Sequence, residues 1–246
     1  MPVNKKQTKA IKRKGTFIVL DGTDGTGKAT QCTLLDAALK KSGYKIKKID
    51  FPRYYDNFFG KLIGECLAGK YGDFIAVDPH IASVLYAADR WETKAQIEKW
   101  LEDGYVVISD RYVSANQIHQ GGKILDEKKR TEFLSWLDMM EHGVFKIPRP
   151  DAIVYLNLSV TLGQKLLAEK HAAEALKSKK KYLGTSKDQA ETNVDHLEKS
   201  RQSALSIVKK NNAWHKIECE NNGEILSREA IHAEVLKVVS KILKKK

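Results

Sequence analysis

The sequence predicts an α/β fold of three layers, in which helices flank a central five-stranded parallel sheet. Three observations lead there. Short runs rich in β-branched residues alternate with longer amphipathic stretches, the pattern of βαβ units. The first apolar run ends in a glycine-rich turn that opens a segment of helical period, and the third ends at Asp110 and Arg111. No internal repeat or long linker divides the 246 residues, so a single domain over 15–243 is expected.

Taken in order, Thr16 to Asp21 (TFIVLD) is apolar on both faces and reads as a buried strand. Gly27 to Ser42 follows as a helix with Leu34, Leu35, Ala38 and Leu39 on one face, and Gly43 stops it by adopting positive φ. Tyr44 to Phe51 reads as the second strand, closed by Pro52. Helical patterns cover 57–68 and 80–102, the latter with Asp78 as N-cap and Pro79 at the first helical position. Tyr105 to Ser109 (YVVIS) is the third strand. A helix over 126–141 leads through Pro148 and Pro150 to the fourth strand, Ala152 to Leu158. Residues 160–210 are polar and mostly helical in pattern, interrupted at 182–186, and 163–187 is expected to form a mobile lid. Ala213 to Glu218 gives the fifth strand, and Glu224 to Leu243 a closing amphipathic helix. Residues 1–14 read as a basic, disordered leader and 244–246 as a basic tail.

Bulk properties narrow the function classes. No apolar run approaches the roughly 18 residues that a membrane span requires. The start, MPVNKKQTKAIKRKG, has charge without a following apolar core, so it is not a secretory signal and a cytoplasmic protein is expected. Three cysteines, Cys32, Cys66 and Cys219, contain no CxxC pair, which disfavours a disulfide framework and a structural zinc site. The net charge of +12 could attract polyanions, but much of the excess sits in residues 1–14, 177–181 and 244–246. Solvated tails explain the two ends, and nucleic acid is not an expected partner.

The chemistry-bearing segment is Gly22-Thr23-Asp24-Gly25-Thr26-Gly27-Lys28, which fits the first seven positions of G-x-x-x-x-G-K-[ST] between a strand and a helix. Glycines there let successive N–H groups turn inward around phosphate oxygens, the helix N-terminus adds partial positive charge, and Lys28 reaches the β- and γ-phosphates. Gly22, Thr23, Gly25, Thr26, Gly27, Lys28, Ala29 and Thr30 are therefore the expected ATP-binding residues. Ala29 stands where the motif has a hydroxyl that ligates Mg²⁺, so either the metal accompanying ATP is held by the nucleotide, water and Asp110 or metal use here is weakened.

Four blocks in order, GTDGTGKATQ at 22–31, FPR at 51–53, YAADRWE at 86–92 and SDRYVSANQIHQG at 109–121, resemble the thymidylate kinases, P-loop nucleoside monophosphate kinases. The resemblance covers most of 15–160 and, more loosely, the remainder. It implies a P-loop fold, transfer of the γ-phosphate of ATP to dTMP giving dTDP and ADP, and a homodimer. It assigns Asp24 to the acceptor 3′-hydroxyl, Phe51 to the base pocket and Arg53 to the acceptor phosphate. Tyr86 and Arg90 are four apart on one helix face, so a ring and a planar fork can address one base, and the family uses these positions for thymine. Asp110 takes the magnesium position and Arg111 can fork two phosphate oxygens. Asn116 and Gln120 resemble positions at the thymine edge, and the loop 219–223 the one that holds adenine.

Some positions depart from the family. His119 replaces a tyrosine that helps reject a 2′-hydroxyl, which keeps UMP and dUMP open as acceptors. Gly25 occupies the slot where some relatives carry a catalytic arginine, and the segment 163–187 contains lysines but no arginine. Lys180 and Lys181 are the expected replacements, with Arg149 and Arg201 as substitutes. A P-loop nucleotide-binding protein with weak or no kinase activity is the alternative. Phe58, Phe59, Leu62 and Ile63 are apolar enough to belong to a dimer surface.

Overall fold

The computed structural model describes residues 14–174 and 189–245. Five strands, β1 (Thr16–Asp21), β2 (Ile46–Asp50), β3 (Val106–Asp110), β4 (Ala152–Asn157) and β5 (Trp214–Glu218), form a parallel sheet ordered β2-β3-β1-β4-β5. The expected three-layer α/β architecture is therefore present. Every residue of β1 is buried, because parallel strands covered on both faces must be apolar on both. Its side chains alternate accordingly: Phe17 and Val19 enter one core cluster, Ile18 and Leu20 the other.

The helices described are α1 (Lys28–Lys41), α2 (Phe58–Leu67), α3 (Pro79–Glu92), α4 (Lys94–Glu102), α5 (Val113–Gly122), α6 (Glu127–Asp138), α7 (Val160–Glu174), α8 (Gln189–Thr192), α9 (Val194–Val208) and α10 (Arg228–Leu243). A π-helical turn, Met139–Val144, extends α6, and a small antiparallel pair, β6 (Glu220–Asn221) and β7 (Glu224–Ile225), precedes α10. On one face of the sheet the core joins Phe17, Val107 and Tyr155 to Ile118 of α5, Phe133 of α6 and Ala204 of α9. On the other, Leu20, Ile108 and Val154 pack with Leu35 of α1 and Val235 of α10. The register pairs Leu20 with Asp110, so the carboxyl ends of β1 and β3 lie side by side. Open parallel sheets bind ligands at that edge.

Three expectations require correction. The helix predicted over 80–102 is two helices broken at Thr93, whose hydroxyl accepts from Asn57 Nδ2 at 2.8 Å; a side chain from outside the helix fixes the bend. The closing helix starts at Arg228, not Glu224: Asn222 and Gly223 both take positive φ and close a hairpin, and Ser227 then caps α10 at Ala230 N. Helix α5 was not assigned from the sequence, yet it carries much of the site. Of the expected lid, the described part is α7; Lys180 and Lys181 lie outside the described residues, as does nearly all of the leader. Among the described residues no helix is long and apolar enough to cross a membrane.

Candidate active site

From the end of β1 the chain turns through Gly25 and Gly27, both left-handed at φ 83° and 84°, into α1. The Thr26 hydroxyl donates to Thr23 O at 2.9 Å and ties the turn together. Lys28 folds back under the loop and donates to Gly22 O at 3.0 Å and Thr23 O at 2.8 Å. Burial lowers its pKa, and Arg111 nearby lowers it further. Asp21 is fully buried, accepting from Gly22 N at 2.8 Å and from the Ser114 hydroxyl at 2.5 Å.

This turn forms one end of a cavity of about 1000 Å³ at the carboxyl edge of the sheet. Of the residues expected from the sequence, Asp24, Gly25, Thr26, Gly27, Lys28, Ala29, Thr30, Phe51, Tyr86, Arg90, Asp110, Arg111, Asn116, His119 and Gln120 line it. Three do not. Gly22 and Thr23 lie beneath the loop, where their carbonyls hold Lys28. Arg53 is drawn to two neighbouring carboxylates, Asp56 at 2.6 Å and Asp50 at 3.6 Å, and does not line the cavity. Arg149 is likewise engaged, by Asp138, and Arg201 donates to Asn157 Oδ1 at 3.1 Å. Of the loop 219–223, Cys219 lines the cavity and Glu220 to Gly223 do not; Ser227 and Arg228 at the start of α10 line it as well.

Arg111 sits at the centre. Its backbone is left-handed, φ 65°, which aims the side chain across the sheet edge. One guanidinium nitrogen donates to Asp24 at 2.5 Å and the other faces His119 Nε2 at 2.8 Å. Burial would lower its pKa, but Asp24, Asp21 and Asp110 outweigh that and hold it above its ordinary value. Guanidinium only donates, so His119 Nε2 accepts and the ring proton sits on Nδ1. That Nδ1 is buried with no partner among the described residues. Burial, then Arg111 and His196, push the His119 pKa well below 6.5, so its ring is neutral. His196 of α9, which sequence reasoning missed, stacks on it with ring centres 5.5 Å apart and also lines the cavity.

The opposite end is built for a flat ring. Tyr86 and Phe74 are 6.0 Å apart, and Phe51 lies 5.5 Å from Tyr112. Arg90 is 2 % exposed and Glu141 0 %, and the two form a bidentate pair, Nε to Oε2 at 2.9 Å and NH2 to Oε1. Asn116 Nδ2 donates to Glu141 Oε1 at 3.0 Å and to Ser83 O at 3.2 Å. Glu141 carries no local motif, and nothing in the sequence singles it out.

The residues present fit a magnesium–nucleotide complex. Magnesium is usually held by one or two carboxylates with phosphate oxygens and water. Asp110 supplies one carboxylate at the cavity, beside Lys28 and Arg111; burial raises its pKa, which a cation would reverse.

Comparison with known proteins gives a consistent picture. A family model described as thymidylate kinase matches residues 20–230. The "Probable thymidylate kinase" of Thermococcus gammatolerans is 38% identical over 152 residues, 59% of this chain and 67% of that protein. The thymidylate kinase of Homo sapiens is 30% identical over 148 residues, 60% of this chain and 63% of the human one. The aligned part thus spans about two thirds of these relatives' length. A solved structure of a thymidylate kinase from Candida albicans superposes with a TM-score of 0.66 at 24% identity, covering 93% of this chain and 92% of its own. At that identity the superposition speaks for the fold.

Proposed function

Because the chain belongs to the thymidylate kinase family, whose members are ATP-dependent nucleoside monophosphate kinases, we propose that it transfers the γ-phosphate of ATP to dTMP, giving dTDP and ADP. One observation carries the reading. A single cavity joins a glycine-rich cradle with a buried lysine at one end to an aromatic slot with Arg90 and Asn116 at the other. Donor phosphates occupy the turn from Gly25 to Thr30, and the acceptor base the slot beside Phe51, Tyr86, Arg90, Asn116 and Gln120. Arg111 bridges the two, already paired with Asp24.

Phosphoryl transfer is catalysed by positioning and by positive charge on the migrating group. Lys28 unlatches from the Gly22 and Thr23 carbonyls to meet the β- and γ-phosphates, exchanging two neutral acceptors for anionic ones. Arg111 neutralises the acceptor phosphate, while Asp24 holds the guanidinium until substrate arrives and then accepts from the 3′-hydroxyl. Asp110 would hold magnesium or its waters, and the metal would supply positive charge that offsets the phosphates. Lys180 and Lys181 supply the remaining counter-charge from the segment after α7. Arg53 acts on the acceptor phosphate only after leaving Asp50 and Asp56. The protein works in the cytoplasm as a homodimer. Its surface is Phe58 of α2 with the exposed stripe Ile81, Val84 and Trp91 of α3; Ile63, expected there from the sequence, is fully buried.

A second acceptor has support in one residue. The orphaned Nδ1–H of His119 is a donor that a ribose 2′-hydroxyl could satisfy, which favours UMP as an alternative. Release of ADP from ATP and Mg²⁺ with dTMP, dUMP, UMP, CMP or single-stranded DNA in separate reactions tests the proposal. Turnover with dTMP is expected; turnover with DNA alone would overturn it, and equal rates with UMP and dTMP would identify a lost sugar filter.

A further inference from the structure

The buried carboxylate of Glu141 has a chemical consequence for the base the slot accepts. It lies in the π-helical turn, closed by Phe145 N–H to Met140 O at 3.0 Å, and wider turns of this kind often mark functional positions. A carboxylate accepts only. Glu141 Oε1 and Ser83 O both face the Asn116 amide, so the NH₂ group must point at them and Oδ1 must point away. Asn116 is 2 % exposed and lines the cavity, and its Oδ1 has no donor among the described residues. Arg90 is treated the same way. Glu141 takes two of its five N–H groups and Tyr112 O a third at 3.4 Å, which leaves donors on the cavity side.

We propose that Glu141 is the positioning residue that makes the slot selective for an imide base, by turning the Asn116 acceptor and the free Arg90 donors toward the cavity together. Uracil and thymine present a donor, N3–H, beside an acceptor, O4; cytosine presents an acceptor at N3 beside the N4 amino donor. The acceptor–donor order that Glu141 imposes matches the first and opposes the second. Cytosine would set N3 against Oδ1 and N4–H against guanidinium, two like-with-like contacts in a buried site. The proposal rests on the nucleotide-kinase reading and adds a residue outside the four sequence blocks.

The test compares wild type with Glu141→Gln on dTMP and dCMP. The neutral amide presents one donor face, so Asn116 can flip and Arg90 loses its bidentate partner. The ratio of kcat/KM for dTMP over dCMP should fall at least tenfold, with KM for ATP unchanged. A folded Glu141→Gln that keeps the wild-type ratio would overturn the proposal. If that variant unfolds because Arg90 is left buried without its counter-charge, Glu141→Asp keeps the charge but withdraws Oε1 from Asn116. It should lower the ratio in the same direction, and an unchanged ratio again counts against the idea. Equilibrium binding of dTMP, dCMP and N3-methyl-dTMP separates this proposal from the catalytic one. Absence of turnover by wild type would refute the kinase reading, while equal affinity for dTMP and N3-methyl-dTMP would refute the Glu141 proposal by itself.

Discussion

At Gly25 two independent constraints coincide. Its φ of 83° is left-handed, and a Cβ there would lie 2.0 Å from the Gly163 carbonyl oxygen at the start of α7. The phosphate loop and α7 thus touch backbone to backbone, and no side chain fits between them while they do. Gly27 supplies the control: its φ of 84° is equally unfavourable for a side chain, but a Cβ there meets nothing within 4 Å. Gly27→Ala should lose only the left-handed penalty, about 1–2 kcal/mol. Gly25→Ala should lose that and the clash besides, or push α7 away, giving a Tm several degrees below that of Gly27→Ala in calorimetry. Equal losses would mean that the α7 contact contributes nothing. The same contact gives a structural reason for the missing loop arginine, since a long side chain at 25 would need α7 elsewhere.

Among the elements, α3 shows how local signals and distant contacts divide the work. Asp78 accepts from His80 N at 2.8 Å, with Ile81 N as a longer partner, and Pro79 starts the helix with its φ already set. That helix delivers Ser83, Tyr86 and Arg90 to the site, so its first turn supports the base slot from one end. Asp78→Ala should cost about 1 kcal/mol, or about 2–4 °C in Tm for a chain of this size, read by thermal unfolding. A loss confined to KM for the acceptor, with Tm unchanged, would contradict a capping role. The start of α3 was legible because cap and proline are local chemistry, and the three central strands β1, β3 and β4 because both of their faces are apolar. The break at Thr93 was not, since Asn57 bends the chain from another element. Helix α5 was missed for a related reason. Its buried positions include Ser114, which donates to Asp21, and Asn116 and Gln120, which line the cavity; these polar residues thin out the apolar periodicity that announces a helix. Asn222-Gly223 was a readable hairpin signal overrun by the amphipathic pattern of α10. Within the site, the phosphate loop was readable from spacing alone, whereas Glu141 and His196 acquire meaning only through the partners the fold brings to them.

For the whole molecule, the buried histidines set an acid limit. Burial, reinforced by Lys123, lowers the His196 pKa from 6.5 to about 4, against smaller opposing contributions from Asp24 and Asp195. His119 is pushed down as well, by burial and by Arg111. Both fold as neutral rings. Between pH 6.5 and 4 the unfolded chain therefore binds protons at these two positions that the folded chain refuses, and their contribution lowers stability as pH falls through that window. For His196 alone, the difference between pH 7.5 and pH 5 is about 2 kcal/mol, which is about 4–8 °C in Tm. Asp21 and Asp110, raised by burial, act in the opposite sense over a window that opens upward from 3.8, and so offset part of the histidine loss. The net charge of +12 adds to the acid loss, because every further proton raises the self-repulsion. His196→Gln keeps a polar side chain without a titrating ring, so it should flatten the decline between pH 7.5 and pH 5 by that amount. Thermal unfolding of wild type and variant at the two pH values measures it. An identical slope in both would place the proton uptake elsewhere and remove the stacked histidine pair from the account of acid stability.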